Sequence, residues 1–600
     1  MIILGLSAFY HDSAAAIIRD GEIVAAAQEE RFTRKKNDAD FPVNAAKFCL
    51  DTANVNFDEI NYIAFYDKPL LTFDRLLETY LTYAPKGFKS FAKAIPVWVK
   101  EKLLQKKLII DGLNDLDRGI VTEDDILFGY HHHSHAAAAY YPSPFDHAAI
   151  VIMDGVGEWA TTSIGIGEGR NIRLEREVRF PHSLGMLYSA FTFYLGFKVN
   201  DGEYKVMGLA PYGEPKYADI IREQLLDTKP DGSFRLKMGF FNYAIGLTMT
   251  NEKFAGLFGR PRREATDPLT QFHMDIARSV QVVVEDLVLR VCHEAHRLTG
   301  AKNLCLAGGV ALNCVANGRI LREGPFDQIW IQPASGDAGS ALGVALAVEN
   351  TMSEGTAPRT PARMNGQDAM QGSYLGPDYT EDQIQTALDA AGATYTLVNE
   401  DRLFEDVADT LAKDQVVGWF QGKMEFGPRA LGNRSILGNP ASSAMQKTLN
   451  LKIKYRESFR PFAPAVLRED VTEHFELDGD SPYMLIVAPV RKDHHTSLHT
   501  DDKNRTGLDR LDVVRSTLPA ITHVDYSARI QTVTPESNQR FYDLIQAFKK
   551  RTGTGMLVNT SFNVRDEPVV CSPLDAYSCF MATEMDMLAI GNFILKKPDQ

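Results

Sequence analysis

The chain has 600 residues, a formal net charge of −14 and a hydrophobic fraction of 44%. This length exceeds what one hydrophobic core accommodates, so we expect two or three domains. The acidic balance argues against nucleic acid as the default partner, because a phosphate backbone needs a basic protein face. No apolar run approaches a membrane span, and residues 1–3 enter a strand without a basic leader. We therefore expect a cytoplasmic location and no membrane partner.

The first strands predict an internal duplication. A loop at residues 7–12 and a hairpin signal at Asp20-Gly21 separate three short apolar strands: residues 2–6, 13–18 and 22–27. The same strand–loop–strand–hairpin–strand plan returns in residues 149–180. This plan is typical of the duplicated ATPase fold shared by actin, the large heat-shock chaperones and the sugar kinases. In that fold the two loops face each other across a cleft and hold phosphates.

A histidine-rich run predicts a metal site. His131 and His135 are one helical turn apart, so both imidazoles lie on one face of a helix. Apolar segments further along the chain end in Asp154 and Asp337. Two imidazoles with carboxylates from strand ends suit a divalent transition metal. The cluster by itself leaves open a polar loop that holds no ion.

A glycine pair points to a nucleotide. The apolar run of residues 304–307 ends in Gly308-Gly309, and Asn313 follows shortly after. Adjacent glycines let a flat ligand such as a base and ribose approach the backbone. Packing alone explains most such pairs. This pair indicates a nucleotide site only together with the two loops and the histidine pair.

A change of composition marks a domain boundary. Residues 352–361 are rich in small residues and proline and lack apolar periodicity, which suits a surface linker. We divide the chain into a first domain at 1–355, a linker at 356–376 and a second domain at 377–600. The second domain opens with helices predicted at 380–392 and 401–414, separated by a strand at 394–398.

The second domain concentrates arginines and lysines between proline, glycine and aromatic residues, in residues 419–435 and 452–464. Such neighbours fix the backbone and exclude water, so the cations are expected to bind an anion. Asparagine and serine at the end of the apolar strand 556–558 can complete the site. The alternative is a set of structural ion pairs with Glu425, Glu457 and Asp525, most plausible for Arg434 and Arg456.

Together these motifs resemble the antibiotic and nodulation-factor O-carbamoyltransferases over residues 1 to about 592. The resemblance is carried by the opening with His11-Asp12-Ser13-Ala14-Ala15, by Glu29-Glu30-Arg31 and by residues 202–213, 424–432 and 559–563. It implies an α/β enzyme with two domains. The first would resemble the ATPase that completes tRNA threonylcarbamoylation. The second would resemble YrdC, the partner that makes the carbamoyl-adenylate in that pathway.

The resemblance also implies ligands and residue roles. Carbamoyl phosphate would bind in the second domain and form a carbamoyl-adenylate with ATP. The adenylate would be used in the first domain, which would hold a divalent metal, iron in relatives. The metal ligands would be His131, His135, Asp154 and Asp337. The nucleotide would lie against Gly155, Gly157, Glu203, Lys205, Gly308, Gly309 and Asn313. Carbamoyl phosphate would be held by Arg429, Lys454, Arg460, Arg529, Asn559 and Ser561.

Catalytic roles follow from the chemistry of carbamoyl transfer to an alcohol. His11, beside Asp12, is our candidate general base for the acceptor hydroxyl, because imidazole titrates near neutral pH. The alternative is a loop histidine that only hydrogen-bonds a backbone carbonyl. Lys205 and the metal would offset charge on the phosphate and carbonyl oxygens.

Two other functions stay open from the sequence. One is a tRNA-modifying enzyme that merges the threonylcarbamoyl steps, and the other is a non-catalytic ATP-binding protein of the same fold. We expect a small-molecule acceptor with a hydroxyl group, whose identity the sequence does not give, and a homodimer is compatible with the sequence. Residues 491–515 are expected to form a mobile insertion.

Overall fold

The computed structural model describes residues 1–98, 104–353 and 367–600. The chain divides into two compact units. The first unit contains residues 1–29 and 37–369, and the second contains residues 30–36 and 370–600. A short piece from the N-terminal half therefore belongs to the second unit. The predicted linker lies outside the described residues as far as residue 366, so that boundary stays a prediction.

The first unit repeats one sheet topology twice. The strands of its first sheet are β1 (Ile2–Ser7), β2 (Ala14–Arg19), β3 (Glu22–Gln28), β4 (Tyr62–Phe65) and β5 (Ile126–Phe128). The strands of its second sheet are β6 (His147–Met153), β7 (Ala160–Glu168), β8 (Asn171–Arg179), β11 (Asn303–Ala307) and β12 (Gln328–Ile331), and β9 (Leu226–Thr228) and β10 (Phe234–Leu236) form a separate hairpin.

The strand orders are β3-β2-β1-β4-β5 and β8-β7-β6-β11-β12. In both sheets the first three strands in sequence are antiparallel neighbours, and the last two run parallel to the central strand. This repeat confirms the predicted duplicated fold of the actin-like ATPases.

Twelve described helices belong to the first unit. They are α2 (Val43–Ala53), α3 (Pro69–Tyr83), α4 (Phe88–Trp98), α5 (Gln105–Asn114), α6 (His131–Tyr140), α7 (Leu184–Tyr194), α8 (Glu203–Leu209), α9 (Ala218–Ile220), α10 (Glu252–Phe258), α11 (Gln271–Thr299), α12 (Cys314–Glu323) and α13 (Asp337–Met352).

Helices α6 and α13 pack closely because small residues line their contact. A Cβ atom on Gly343 would lie 1.9 Å from the Ser134 carbonyl oxygen, and one on Gly5 of β1 would lie 2.0 Å from the Ala341 carbonyl oxygen. Any side chain at these glycines would push the elements apart. The packing therefore fixes the first residues of both helices, His131 and Asp337.

The second unit is a mixed sheet of nine strands in the order β13-β21-β20-β14-β15-β19-β16-β18-β17. The strands are β13 (Thr396–Leu397), β14 (Val417–Phe420), β15 (Arg434–Gly438), β16 (Ala463–Leu467), β17 (Ile486–Pro489), β18 (Ser527–Val533), β19 (Met556–Ser561), β20 (Met587–Ile590) and β21 (Phe593–Lys596). The helices are α1 (Glu30–Thr33), α14 (Glu381–Ala390), α15 (Glu400–Ala412), α16 (Met445–Thr448), α17 (Val471–His474), α18 (Thr500–Lys503), α19 (Pro535–Thr552) and α20 (Pro573–Met581).

The core of this unit lies between the sheet and helices α15 and α19. Leu403, Val407 and Leu411 recur at helical spacing and pack with Phe541 and Phe548, all of them buried. The two helices predicted after the linker are confirmed as α14 and α15, but the predicted strand at 394–398 shrinks to two edge residues. Residues 491–515 contain short helical turns, and an isolated bridge joins His495 to Ser516. Among the described residues, no helix is both long and apolar enough to cross a membrane.

Candidate functional site

Two imidazoles and two carboxylates meet in the first unit. One ligand atom from each of His131, His135, Asp154 and Asp337 lies within 4.8 Å of the others. The Nε2 atoms of the two histidines are 3.1 Å apart, and His131 Nε2 is 3.2 Å from Asp154 Oδ2. His135 Nε2 is 3.5 Å from Asp337 Oδ1. The four residues predicted as metal ligands are thus brought together.

Outer hydrogen bonds orient this cluster. Ser340 Oγ lies 3.2 Å from Nδ1 of His135, which leaves Nε2 to face the carboxylates. The backbone N–H of Gly309 donates to Oδ1 of Asp154 at 3.0 Å. Such partners fix the ring and carboxylate orientations of metal ligands.

The cluster fits a divalent transition metal. Two nitrogen and two oxygen donors suit such an ion, and Oδ2 of Asp337 is buried with no hydrogen-bond partner in the described part of the chain. A buried carboxylate oxygen in that state is costly unless a cation satisfies it.

The electrostatics favour a cation as well. Burial alone would raise the pKa of Asp154, but its hydrogen bond to His131 and the charge of His135 hold that pKa well below the usual range. Burial would lower the pKa of His131, but the hydrogen bond to Asp154 and the charge of Asp337 raise it to about 9. Both carboxylates therefore stay charged, and a metal ion would displace the proton of His131.

His11 lies beside the cluster on the loop between β1 and β2. Its Nδ1 is 3.0 Å from Asp12 Oδ2, and its Nε2 is 3.8 Å from Asp337 Oδ2. Burial would lower the pKa of His11, but the negative charge of Asp337 and the contact with Asp12 raise it to about 9. Without a cation in the cluster, His11 thus carries a proton at neutral pH and cannot serve as a base.

The glycines predicted to contact a nucleotide allow close backbone approach. Gly308 has φ +88°, and a Cβ atom there would lie 2.3 Å from the Met153 carbonyl oxygen. A Cβ on Gly157 would lie 3.1 Å from the ring of His131, and one on Gly309 would lie 3.3 Å from Asp154 Oδ1, whereas one on Gly155 would lie 3.9 Å from the Met186 methyl group. Gly308 therefore holds the loop of Asp154 against the loop of Gly309, beside the cluster.

Two polar residues predicted for the nucleotide already serve the fold. The carboxylate of Glu203 accepts from Ser189 Oγ at 2.8 Å and from the backbone N–H groups of Asn200 and Gly202 at 3.1 Å each. Asn313 caps α12, and its side-chain amide exchanges two hydrogen bonds with Gln281. Lys205 Nζ lies 5.9 Å from the Phe197 ring centre. Contacts of these three residues with a nucleotide stay a prediction.

In the second unit, polar groups gather on one face of the sheet. Arg529 and Gln531 are two positions apart in β18, and Asn559 and Ser561 are two positions apart in β19. Side chains at this spacing point to the same face of a strand. Asn559 Nδ2 donates to Gln531 Oε1 at 2.7 Å and to the Ala430 carbonyl at 3.2 Å. Asn559 Oδ1 and Arg529 Nε are buried, and neither has a hydrogen-bond partner among the described residues. These orphaned groups indicate a place for a polar ligand.

Lys454 joins the same face. Its Nζ donates to the carbonyl oxygens of Ser561 at 2.7 Å and Asn563 at 2.8 Å. Burial, followed by the charges of Arg456 and Arg460, lowers the pKa of Lys454 well below its ordinary value. Lys454 therefore both shapes the Ser561–Asn563 turn and stands where a nearby anion would favour its charged form. Asn563 was not predicted as a site residue, although it ends the same sequence motif.

Arg429 lies on the loop between β14 and β15, which Glu425 shapes. One carboxylate oxygen of Glu425 accepts from the N–H groups of Leu431, Asn433 and Arg434 at 2.8–3.2 Å. Gln531 also donates to the Leu431 carbonyl at 2.7 Å, so the loop is tied to the sheet face. The two residues that follow Arg429, Ala430 and Leu431, accept these bonds from the sheet face, so the loop holds Arg429 next to that face.

Some predicted cations are structural. Arg434 is fully buried, donates to the carbonyls of Gln421 and Pro377, and stacks 3.6 Å above the Phe420 ring centre. Arg434 is therefore structural, but through backbone carbonyls and an aromatic ring and not through the predicted ion pair. Arg456 donates to Asn450 Oδ1 at 2.8 Å, and Arg460 lies 3.9 Å from Glu457 in a loose ion pair.

Two family models match the N-terminal and C-terminal parts of the chain. The carbamoyltransferase N-terminus model matches residues 2–346, and the carbamoyltransferase C-terminus model matches residues 408–597. The chain belongs to the carbamoyltransferase family. The resemblance seen in the sequence is confirmed, and the family makes this protein a transferase.

Relatives of this carbamoyltransferase cover nearly all of it. It is 37% identical to nodulation protein NolNO of Sinorhizobium fredii over 98% of this chain and 79% of that protein. It is 58% identical to an uncharacterized protein of Synechocystis over 100% of this chain and 97% of that protein. The structure of HypF from T. kodakarensis aligns with 58% of this chain and 48% of its own at 14% identity, with a TM-score of 0.30. That score is too low to support a fold assignment, which here rests on the repeated strand order.

Proposed function

We propose that this protein is an ATP-dependent O-carbamoyltransferase that moves a carbamoyl group from carbamoyl phosphate, through carbamoyl-adenylate, to a hydroxyl of a small natural product. The observation that carries the proposal is the presence of two buried polar clusters of opposite character in a chain of this family. One cluster offers imidazole and carboxylate ligands. The other offers a lysine, arginines and unsatisfied amide and guanidinium groups.

The reaction has three steps. Hydrolysis of carbamoyl phosphate gives phosphate and carbamate. A carbamate oxygen then attacks the α-phosphorus of ATP and releases pyrophosphate, which leaves carbamoyl-adenylate. Finally the acceptor oxygen attacks the carbamoyl carbon, AMP departs, and the hydroxyl proton passes to a base. One carbamate ester thus costs one ATP and yields phosphate, pyrophosphate and AMP.

In our proposal the second unit binds carbamoyl phosphate and forms carbamoyl-adenylate with ATP. Arg429, Arg460 and Arg529 would offer planar donor forks to the phosphate oxygens. Asn559 has an unsatisfied Oδ1 that suits the carbamoyl N–H group, and Ser561 adds a hydroxyl. Lys454 would supply positive charge and hold the turn that carries Ser561.

In our proposal the first unit carries out transfer to the acceptor. His131, His135, Asp154 and Asp337 would hold a divalent cation, with Fe²⁺ as our candidate. Such an ion supplies Lewis-acid stabilisation of charge on phosphate or carbonyl oxygens. The nucleotide would lie along Gly155, Gly157, Gly308 and Gly309, with Lys205 near its phosphates. His11 would take the acceptor proton once a cation offsets the neighbouring carboxylates.

The two alternative functions fit less well. A tRNA-modifying enzyme needs a basic surface for RNA, and a chain with a net charge of −14 does not favour one. A non-catalytic ATP-binding protein leaves the buried, unsatisfied groups of the second unit without a ligand.

The test is anaerobic incubation of the protein with Fe²⁺, ATP and carbamoyl phosphate, followed by measurement of phosphate and pyrophosphate. We expect equal amounts of both, and none when carbamoyl phosphate is left out. An absence of carbamoyl-phosphate-dependent pyrophosphate in the complete mixture would reject the proposal. A second arm adds tRNA and a third adds a panel of hydroxyl compounds, and stimulation by tRNA alone would favour the first alternative.

A further inference from the structure

A short N-terminal segment is built into the second unit. Residues 30–36 follow β3 in sequence but belong to that unit. The flanking residues are fixed in the first unit, where the Glu29 N–H donates to the Ser13 carbonyl and the Ser13 N–H donates to the Asp38 carbonyl, each at 2.8 Å. With both ends held, the segment has little freedom left to lose when its side chains bind their partners.

Arg31 bonds the loop that carries Arg429. It is 4% exposed, and one terminal nitrogen donates to the Gly427 carbonyl at 2.8 Å. The other terminal nitrogen pairs with Glu30 at 3.0 Å. Gly427 has φ +130°, a conformation that favours glycine, and lies two residues before Arg429. The buried guanidinium therefore holds an unusual turn next to a proposed phosphate ligand.

Arg34 and Phe32 contact a second loop, the one that contains Pro568 and Val569. Arg34 donates to the carbonyls of Val569 at 2.6 Å and Pro568 at 2.8 Å. Phe32 packs against a small buried cluster of Met424, Val569 and Cys571.

The loop bonded by Arg34 leads back to Lys454. Asn563 donates to the Glu567 carbonyl at 2.7 Å, and its own carbonyl accepts from Lys454 at 2.8 Å. One seven-residue segment thus contacts both loops that shape the cationic face of the second unit.

We propose that Arg31 is a positioning residue for carbamoyl phosphate: it fixes the Gly427 turn so that Arg429 points to the ligand, while Arg34 fixes the loop behind Asn563. This inference rests on the function proposed above. A displacement of about 1 Å in a ligand-binding group can cost on the order of 100-fold in rate. Loss of a bond that sets the loop should therefore affect this one substrate more than the rest of the protein.

The experiment compares Arg31→Met and Arg31→Lys with wild type. Pyrophosphate release gives the KM for carbamoyl phosphate and for ATP, calorimetry gives carbamoyl phosphate binding, and elemental analysis gives the metal content. For Arg31→Met we expect at least a tenfold rise in the KM for carbamoyl phosphate, with the KM for ATP and the metal content within twofold of wild type. Arg31→Lys keeps a charged donor and should fall between the two.

Arg540→Met is the matched control. Arg540 belongs to the same unit and also donates to a carbonyl, that of Gly591 at 3.2 Å, and its other polar partners in the described part of the chain are Asn592 and Glu400. We expect it to lower the melting temperature without a change in the KM for carbamoyl phosphate. Should Arg31→Met not fold, Arg31→Lys carries the test, with a rise of at least threefold expected.

The outcomes separate the two proposals. An unchanged KM for carbamoyl phosphate in folded Arg31 variants, with an active wild type, would overturn the positioning role alone. Parallel rises in both KM values would also overturn it, because they indicate a general structural defect. A wild type that neither binds nor consumes carbamoyl phosphate would overturn the proposed function and the positioning role with it.

Discussion

The two units hold buried polar clusters that are opposite in charge and in construction. In the first unit, the helix starts of α6 and α13 and the end of β6 bring imidazoles and carboxylates together. In the second unit, a sheet face and two loops bring cations and amides together. Among the described residues, Asp337 Oδ2 in the first cluster and Arg529 Nε and Asn559 Oδ1 in the second have no hydrogen-bond partner.

This difference indicates complementary ligands. A buried group without a partner costs free energy, so a fold that keeps such groups usually satisfies them with a ligand. A cation suits the first cluster and an anion suits the second. If the first cluster binds a cation and the second binds an anion, substitutions in one cluster should not affect ligand binding in the other.

The largest expected effect is on metal binding. Asp337→Asn removes a charged ligand but keeps the size of the side chain. We expect metal affinity to fall by more than the roughly 10–100-fold that loss of an outer hydrogen-bond partner causes. Metal content after dialysis measures this, and Asp327→Asn, on the exposed surface, is the control. Retention of stoichiometric metal by Asp337→Asn would contradict the assignment of this cluster as the metal site.

The second expected effect is on the anion site. Lys454→Met keeps a long apolar side chain but removes the charge and the bonds to Ser561 and Asn563. We expect roughly 10- to 100-fold weaker binding of carbamoyl phosphate, because hydrogen bonds to charged groups contribute about 1.5–3 kcal/mol. Calorimetry measures it. Lys452→Met, whose lysine is exposed and paired with Glu584 at 2.9 Å, should bind normally; equal loss in both variants would contradict the assignment.

A third, smaller effect tests the orientation of the histidines. Ser340→Ala removes the hydroxyl that faces His135 Nδ1 at 3.2 Å. We expect about tenfold lower metal affinity without loss of the site. Competition with a metal-binding dye measures it. Ser353→Ala, near the other end of α13, removes a hydroxyl that bonds Glu349 and should have no effect; a similar loss there would point to helix stability instead.

The smallest expected effect is a pH dependence of carbamoyl phosphate binding. The pKa of Lys454 is lowered in the ligand-free protein by burial and by Arg456 and Arg460, and a bound phosphate would raise it. Binding should therefore take up protons. Affinity should increase as the pH falls from the higher pKa of Lys454 in the bound protein to its lower pKa in the free protein, by less than about tenfold per pH unit. Calorimetry in buffers of different ionisation enthalpy measures the uptake. Proton release on binding would contradict the sign.

The four residues of the metal cluster could be predicted from the sequence, but the contacts of residues 30–36 with the second unit could not. Helical periodicity places His131 and His135 on one face, and the ends of apolar runs mark Asp154 and Asp337. Arg31, by contrast, bonds a residue 396 positions away, and no local pattern encodes such a partner. The duplicated strand plan was readable because hairpin signals are local, whereas the nine-strand order depends on distant pairing.

Residue type also left some roles open. Glu203 and Asn313 were predicted for the nucleotide, yet their side chains cap and brace neighbouring backbone. A carboxylate or amide beside a glycine loop suits either task, and only the partners separate them. Arg434 was interpreted as structural from its sequence, but its partners, the Gln421 and Pro377 carbonyls and the Phe420 ring, are distant in the chain and only the structure identifies them.

The most direct test of the central claim is a comparison of products from Asp337→Asn and Lys454→Met, with carbamoyl phosphate held below its wild-type KM. The protein is supplied with Fe²⁺, ATP, labelled carbamoyl phosphate and an accepted hydroxyl compound, and pyrophosphate and carbamate ester are measured separately. We predict that Asp337→Asn still releases pyrophosphate but forms little ester, whereas Lys454→Met loses both. Loss of pyrophosphate release in Asp337→Asn together with normal release in Lys454→Met would contradict the assignment of adenylate formation to the second unit.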